Sequence, residues 1–266
     1  MTTHVFPPAA HATFRQRLVE AGLLTGTFLK APVPIVTEWL GAIGYDFTVI
    51  DQEHGAFGRE ATDLALLAAR ASGIAALVRT PTDGAEHILS ALDGGAAGIL
   101  VPHVQSAEQA RAIVAAARYR SGRGFALSTR AAGYGQVPAR EHVEQADSQT
   151  AVIVQIEDLQ GLEHADAIAS VDGIDAIFIG RGDLSNALGV ASPNDPLVLQ
   201  ASARIGAAAK RHGKALSAFI ANPAEAPALA QFGVSAFLLG TDQALLQQGA
   251  QLAARGLREV LKGELS

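Results

Sequence analysis

Two carboxylic acids, Glu157 and Asp183, follow apolar runs of the sequence at points where a divalent metal could be held. Gln155 and Glu157 are two residues apart on one such run, so their side chains project to the same face of a strand. Oxygen ligands that leave coordination positions open for water or substrate describe a Mg2+ or Mn2+ site. The same acids could instead pair with Arg181 or another arginine at a rim, and the spacing leaves both interpretations open.

The segment Gly-Arg-Gly-Asp-Leu-Ser, residues 180–185, lies between a predicted strand and a predicted helix. Backbone N–H groups in such a turn can bind an anion such as a carboxylate. Glycine is also the ordinary residue of a tight turn, so the segment has a purely structural alternative. The candidate substrate-binding residues are Gln155, Gly180, Arg181, Gly182, Asp183 and Ser185.

Basic side chains follow other apolar runs. His54 is the predicted general base, because imidazole titrates near neutrality; a surface histidine is the alternative, and His103 is a weaker candidate. Arg79 could stabilise an enolate or bind a carboxylate. Its alternative role is to compensate the charge of Asp51 or Glu53.

Composition excludes several chemistries. The chain has no cysteine, and therefore no disulfide, no thiolate nucleophile and no sulfur ligand for a metal. Its net charge of -6 includes no basic block, which argues against a nucleic-acid surface. Among the lysines only Lys30 follows a predicted strand, so Schiff-base catalysis is disfavoured. We expect a small-molecule substrate, a metal held by oxygen or nitrogen, and no organic cofactor.

The strands that would position these residues recur along the chain. Short β-branched runs alternate with Ala-rich segments of helical period, as in repeated βα units. The predicted strands are Thr25–Leu29, Phe47–Asp51, Ala75–Arg79, Gly98–Pro102, Ala151–Glu157, Ala176–Gly180, Ala215–Ile220 and Ala236–Gly240. Eight such units favour a single (β/α)8 TIM barrel, with the active site at the carboxyl ends of the strands. A doubly wound open sheet is the alternative, but the first turn lacks its Gly-rich loop.

The remaining segments complete one domain over residues 1–266. A helix is predicted over Ala107–Arg118, a long loop with an extra helix over Tyr119–Gln149, and a helix with an apolar face over Asp242–Leu261. Met1 to Ala12 has no apolar run behind a basic start, and no segment reaches the roughly 18 apolar residues of a membrane span. We therefore expect a cytoplasmic protein with no membrane partner.

Taken in order and at these spacings, several motifs resemble the HpcH/HpaI aldolase family of metal-dependent pyruvate aldolases over about residues 14–257. The motifs are Tyr45–His54, Val78–Arg79, Leu100–Pro102, Ser128–Ala131, Val154–Glu157 and Phe178–Ser185. The sequence departs from the family pattern at Gln52, where glycine is common, and at Arg181-Gly182, which replaces a Pro-Ala pair. Arg181 could add a cation beside a substrate carboxylate or point outward.

The resemblance implies roles for individual residues. Glu157 and Asp183 would bind Mg2+, Mn2+ or Co2+, with Gln155 assisting. Arg79 would contact the keto oxygen of pyruvate, and the backbone from Gly180 to Asp183 would hold its carboxylate. In the same way, His54 would act as the acid and base, paired with Asp93.

The resemblance also implies an activity: reversible aldol cleavage and condensation of 4-hydroxy-2-oxo acids, with pyruvate or hydroxypyruvate as nucleophile and an aldehyde as acceptor. Alternatives on the same barrel are an oxaloacetate decarboxylase and a citrate-lyase-like acyl-CoA lyase. A homo-oligomer, hexamer or trimer, is implied as well, with the C-terminal helix exchanged or packed between subunits. Lys30, in the first βα loop, leaves the preference among aldehydes open.

Overall fold

Eight parallel strands close into a barrel in the order in which they occur along the chain. The computed structural model describes the backbone of residues 11–264 and the side chains of residues 14–261. Residues 1–10, which contain most of the N-terminal segment interpreted above, and residues 265–266 lie outside the described part. Helices alternate with the strands, which confirms the predicted (β/α)8 TIM barrel.

The strand bounds agree closely with the prediction. The strands are β1 Leu24–Leu29, β2 Phe47–Asp51, β3 Ala75–Arg79, β4 Gly98–Val101, β5 Ala151–Ile156, β6 Ala176–Ile179, β7 Ala215–Ile220 and β8 Val234–Thr241. The last strand is longer than predicted at both ends. Its pairing shifts register against β7 and against β1, so it contains irregularities that a simple apolar run does not predict.

The helices are α1 His11–Val19, α2 Pro34–Ile43, α3 Arg59–Ser72, α4 Ala85–Asp93, α5 Ala107–Ala117, α6 Ala139–Gln149, α7 Leu159–Glu163, α8 Ala165–Ala169, α9 Arg181–Ala187, α10 Pro196–Arg211, α11 Ala226–Ala230 and α12 Asp242–Glu264. Short 3-10 turns cover Tyr119–Ser121, Gly133–Gly135 and Pro223–Glu225. The predicted extra helix after the long loop is α6, and the predicted C-terminal helix is α12. In the described part of the chain, no helix is both long and apolar enough to span a bilayer.

Alternating side chains divide the apolar residues into two cores. Along β2, for example, Val49 belongs to the core inside the barrel, whereas Ile50 belongs to the larger core between the strands and the helices. Phe14 and Leu18 of α1 join the inner core, and the Phe14 ring lies 5.2 Å from that of Phe47. The barrel interior is therefore packed, and the chemistry is confined to a mouth.

The carboxyl ends of β2 and β3 place charged groups next to each other at that mouth. Asp51 and Arg79 are the last residues of their strands and are paired in register. At the ends of β4 and β5 the chain continues into His103 and Glu157, respectively. Four successive strands thus deliver polar side chains to the same region.

Candidate active site

Asp51 organises the first part of the site. Its carboxylate is fully buried and accepts two hydrogen bonds from Arg79, at 2.9 Å from Nε and 2.7 Å from Nη2. Lys30 Nζ lies 3.1 Å away on the same carboxylate. Burial alone would raise the pKa of Asp51, but the hydrogen bond and the charge of Arg79 bring it below its usual value. Asp51 is therefore a fixed anion that orients two cations.

Arg79 connects this anion to a second one. Its Nη1 lies 3.0 Å from Glu53 Oε2, and its guanidinium carbon lies 4.6 Å from the centre of the Phe28 ring. The predicted charge compensation of Asp51 and Glu53 by Arg79 is thus present. It is compatible with the other predicted role, because the guanidinium sits at the mouth in a fixed orientation.

His103 lies between two carboxylates. Its Nε2 is 3.0 Å from Glu53 Oε1 and its Nδ1 is 3.1 Å from Glu157 Oε1. Its backbone N–H donates to the same Glu157 oxygen at 2.7 Å. The backbone is left-handed, with φ of 55°, a conformation that a non-glycine residue rarely adopts. His103 is thereby turned back onto the acids at the mouth.

Glu157 is a buried acid of the site, and its pKa lies well above the ordinary value. Its side chain is 2% exposed and accepts a hydrogen bond from Gln155 Nε2. Burial raises the pKa of Glu157 to about 7; the nearby negative charge of Asp183 acts in the same direction, and the contacts with His103 oppose it. Gln155 Oε1 is buried and has no hydrogen-bond partner among the described residues. A carboxylate that is costly to ionise and an unsatisfied oxygen both favour a bound cation.

The donor set fits a divalent metal. One ligand atom each from Glu53, His103 and Glu157 lies within 4.8 Å of the other two. The prediction from sequence placed the metal on Glu157 and Asp183. Asp183 is exposed and is not in this group, although its charge acts on Glu157. Glu53 and His103 were not predicted from the sequence to be metal ligands. The feature of the sequence that could have indicated them is that both residues follow the end of a strand.

The structure leaves His54 and Asp93 in different surroundings. His54 is about half exposed, with Nε2 3.7 Å from Glu53 Oε1. Asp93, the last residue of α4, accepts a hydrogen bond from Arg123 at 2.7 Å. Among the contacts of residues 14–261, those of Asp93 lead to the segment after α5 and not to His54. The predicted His54–Asp93 pair therefore stays a prediction.

Arg181 is directed away from the acids. Its guanidinium is buried, forms an ion pair with Glu225 at 2.9 Å, donates to the Pro193 and Phe219 carbonyls and contacts Asn194. The contacts described for Arg181 thus lie beyond α9 and at the end of β7. The structure does not bring this side chain to Glu157.

The other residues of the segment 180–185 lie nearer to the acids or within α9. Gly180 packs against Glu157: a Cβ added to it would lie 2.4 Å from Glu157 Cβ. Gly182 and Asp183 are exposed in the first turn of α9. Ser185 Oγ donates to the Gly182 carbonyl at 2.6 Å, a contact within that helix.

Comparison with known proteins is consistent with this geometry. The chain is 33% identical over 257 residues to a 5-keto-4-deoxy-D-glucarate aldolase of Salmonella arizonae, covering 96% of this chain and 98% of the relative. A structure of an HpcH/HpaI aldolase/citrate lyase family protein from Burkholderia cenocepacia aligns with a TM-score of 0.87 and 30% identity, covering 93% of this chain and 99% of that one. The citrate synthase SbnG aligns with a TM-score of 0.83 and 32% identity, covering 95% and 99%.

The sequence model of one family, HpcH/HpaI aldolase/citrate lyase, matches residues 24–248. That range runs from the first residue of β1 into α12 and includes all the site residues described above. The fold, the relatives and the family model agree. The chain therefore belongs to the HpcH/HpaI aldolase/citrate lyase family and is an enzyme of that aldolase and lyase group.

Proposed function

We propose that this enzyme catalyses the divalent-metal-dependent, reversible aldol cleavage and condensation of 4-hydroxy-2-oxo acids. Pyruvate or hydroxypyruvate is the nucleophile and an aldehyde is the acceptor. The observation that carries the proposal is the continuous set of contacts from Arg79 through Glu53 and His103 to Glu157 at the barrel mouth. The similarity to 5-keto-4-deoxy-D-glucarate aldolases supports the same reaction class.

Glu157 and Asp183 would hold the metal, Mg2+, Mn2+ or Co2+, with Gln155 Oε1 available as a further oxygen ligand. When bound, a divalent ion polarises the 2-oxo group and so lowers the cost of removing a C3 proton. The buried Glu157 carboxylate supplies charge where water is excluded. A cation beside it would offset the desolvation that otherwise raises its pKa.

Arg79 would stabilise the enolate oxygen. Asp51 and Glu53 fix its guanidinium before substrate arrives, so its charge needs no reorganisation during the reaction. The substrate carboxylate would bind to the backbone between Gly180 and Asp183. This assigns the carboxylate of pyruvate to the β6 side of the mouth and its keto oxygen to the β3 side.

His54 would exchange a proton with the oxygen atom of the acceptor. In cleavage it takes the proton of the 4-hydroxyl group, and in condensation it returns a proton to the aldehyde oxygen as the bond forms. Its exposure at the mouth keeps it accessible to a substrate, and an imidazole can both accept and donate a proton. Pairing with Asp93 would orient the ring, and D93N with full cleavage activity would remove that part of the assignment.

The proposal is tested by following the C3 proton signal of pyruvate in D2O by NMR. Metal-stripped protein is measured alone and after addition of Mg2+, Mn2+ or Co2+. We expect metal-dependent loss of the signal, abolished in Glu157→Ala and Asp183→Ala. Asp172→Ala, which removes an exposed acid at the opposite end of β6, is the matched control and should exchange normally.

Absence of exchange with all three metals, in a folded protein, would overturn the enolate mechanism. The second candidate is then chemistry on an acyl-CoA ester, which the similarity to a citrate synthase favours. Release of pyruvate from oxaloacetate, together with metal-dependent exchange, would instead identify a decarboxylase, because decarboxylation of oxaloacetate also yields the enolate of pyruvate. Consumption of acetyl-CoA together with oxaloacetate would identify the acyl-CoA reaction.

A further inference from the structure

We propose that His103 is a nitrogen ligand of the divalent metal, through Nδ1, and that Glu53 holds its ring in place by accepting the Nε2–H. This inference deepens the proposed function and rests on its metal dependence. It adds a residue to the two carboxylates, Glu157 and Asp183, assigned above. It also predicts which metals the enzyme prefers.

The first observation is the left-handed backbone conformation of His103. Its positive φ is held by two hydrogen bonds: the His103 N–H donates to Glu157 Oε1, and Gln109 Nε2 donates to the His103 carbonyl at 3.1 Å. A non-glycine residue in this conformation costs free energy, and such residues persist where surrounding contacts impose them, often at functional sites. Here the conformation turns the imidazole towards Glu157.

The second observation is the distance between the His103 imidazole and the Glu157 carboxylate. Two ligands that meet at a right angle on an ion, with bonds of about 2.1 Å, lie about 3.0 Å apart. The distance from His103 Nδ1 to Glu157 Oε1 is 3.1 Å, and both residues belong to the group whose ligand atoms lie within 4.8 Å of one another. The two atoms are therefore spaced as neighbouring ligands of one metal.

The third observation is the carboxylate behind the ring. A histidine that binds a metal through one nitrogen usually donates its other N–H to a carboxylate, which fixes the tautomer and the ring orientation. Glu53 Oε1 lies 3.0 Å from Nε2, and Glu53 is itself held by Arg79. A neutral imidazole with its proton on Nε2 satisfies this contact and leaves the Nδ1 lone pair facing Glu157.

The Gln155 side chain is an independent sign that a cation fits beside Glu157. Gln155 is 2% exposed, its Nε2 donates to Glu157, and none of the described residues forms a hydrogen bond with its Oε1. Leaving a buried oxygen unsatisfied costs about 1–3 kcal/mol. A metal held beside Glu157 would supply the partner.

The chemistry of an imidazole ligand decides the metal preference. Mg2+ prefers oxygen ligands, whereas imidazole raises the affinity for first-row transition metals. With His103 as a ligand, the site binds Co2+ and Mn2+ more tightly than Mg2+, in the order Co2+, Mn2+, Mg2+. Without it, the remaining carboxylates are a weaker and less selective site.

The test is pulsed electron paramagnetic resonance of the Mn2+-loaded full-length protein, which detects a directly bound nitrogen, combined with calorimetric titration of Co2+ and Mg2+. We expect nitrogen modulation in the wild type that disappears in His103→Asn. Asparagine tolerates the left-handed backbone, so the hydrogen bond of the residue 103 N–H to Glu157 is retained. His103→Gln serves as a second variant if the first does not fold.

His54→Gln is the matched control, because it removes the other histidine near Glu53 and should keep the nitrogen modulation. We expect His103→Asn to weaken Co2+ binding by about 100-fold and Mg2+ binding by less than about threefold. Glu53→Gln should keep the modulation and weaken Co2+ binding by about 10- to 100-fold.

Two outcomes would overturn the inference. Mn2+ that binds without nitrogen modulation, or with modulation that survives in both His103 variants, would leave a carboxylate site and the proposed reaction intact. A wild-type protein that binds none of these metals would remove the metal dependence of the reaction together with the role of His103.

Discussion

Glu157 combines deep burial with a position between His103, Gln155 and Asp183, and its ionisation is therefore linked to folding. A carboxyl group whose pKa is raised in the folded state stabilises the protein while protonated. That contribution is complete below the unfolded pKa and is lost as the pH rises through the folded value of about 7. The free energy of unfolding of the metal-free protein should therefore fall as the pH rises from 4.5, the ordinary pKa of a glutamate side chain, to about 7.

Glu157→Gln tests this linkage. Glutamine cannot ionise, and the flipped Gln155 amide can offer it an acceptor. We expect metal-free Glu157→Gln to be more stable than the wild type at about pH 8, by at most about 3 kcal/mol, and to show little difference at about pH 5. The free energy of unfolding is measured with urea in the presence of a chelator.

With Mn2+ added, the wild type should become more stable than Glu157→Gln. Binding of the ion stabilises the folded wild type, whereas the variant lacks one charged ligand for it. Equal stability of the two metal-free proteins at both pH values would show that Glu157 ionises without a folding cost.

Among elements, the close approach of β6 to β5 sets the position of Glu157. Gly180 follows β6 with φ of -81°, so its backbone does not require glycine. The constraint is space, since an added Cβ would lie 2.4 Å from Glu157 Cβ and 2.8 Å from Oε2. Gly180→Ala should therefore displace Glu157 and weaken Mn2+ binding by at least about tenfold.

Gly182→Ala is the control for this substitution. In the part of the chain that the structure describes, its added Cβ has no neighbour within 4 Å, and the position lies in α9, where alanine is the better helix former. We expect the control to keep its Mn2+ affinity and to gain up to about 1 kcal/mol of stability. Calorimetry and urea unfolding measure the two quantities. Normal metal binding by Gly180→Ala would mean that Glu157 is not held by this contact.

The ion pair between Arg181 and Glu225 joins the start of α9 to the short turn after β7. Both side chains are buried, at 3% and 9% exposure, so removal of the cation strands a buried carboxylate. Arg181→Met should lower the free energy of unfolding by about 3–5 kcal/mol. The Mn2+ affinity of the folded variant should change by less than about threefold.

Glu225→Gln is the companion variant, since it keeps the shape and removes only the charge. We expect a smaller loss, of about 1–2 kcal/mol. Unchanged stability of Arg181→Met together with a raised KM for pyruvate would return Arg181 to the substrate-binding role considered from the sequence.

The same elements show what the sequence could predict. The spacing of apolar residues and the ends of strands are local properties of the sequence. They were therefore enough to predict the eight strands and to place Arg79, His103 and Glu157 at one mouth of the barrel. The direction of Arg181 depends on Glu225, more than forty residues away. Asp93 likewise meets Arg123 from the irregular segment after α5. Such contacts depend on side-chain conformation and on loops, which have no periodic signal.

At the scale of the molecule, α12 has an apolar face that no other described part of the single chain covers. From Leu246 to Leu261 every described side chain is exposed, and three leucines are more than 60% exposed: Leu246, Leu252 and Leu257. Trp39 and Ile43 of α2 are also exposed. An exposed apolar surface of this kind marks an interaction site, because burial of each leucine is worth about 1.5–3 kcal/mol.

We therefore predict that the protein is a homo-oligomer in which α12 packs on a neighbouring copy. Light scattering of the wild type should give about three or six times the 27.4 kDa of one chain. Leu252→Lys combined with Leu257→Lys should shift the mass towards that of the monomer, since lysine ammonium groups are costly to bury in an apolar interface. Gln251→Lys adds a charge on the same helix without removing a leucine and should leave the mass unchanged. A wild type that scatters as a single chain would mean that the face of α12 stays exposed in solution, and the predicted packing between subunits would be wrong.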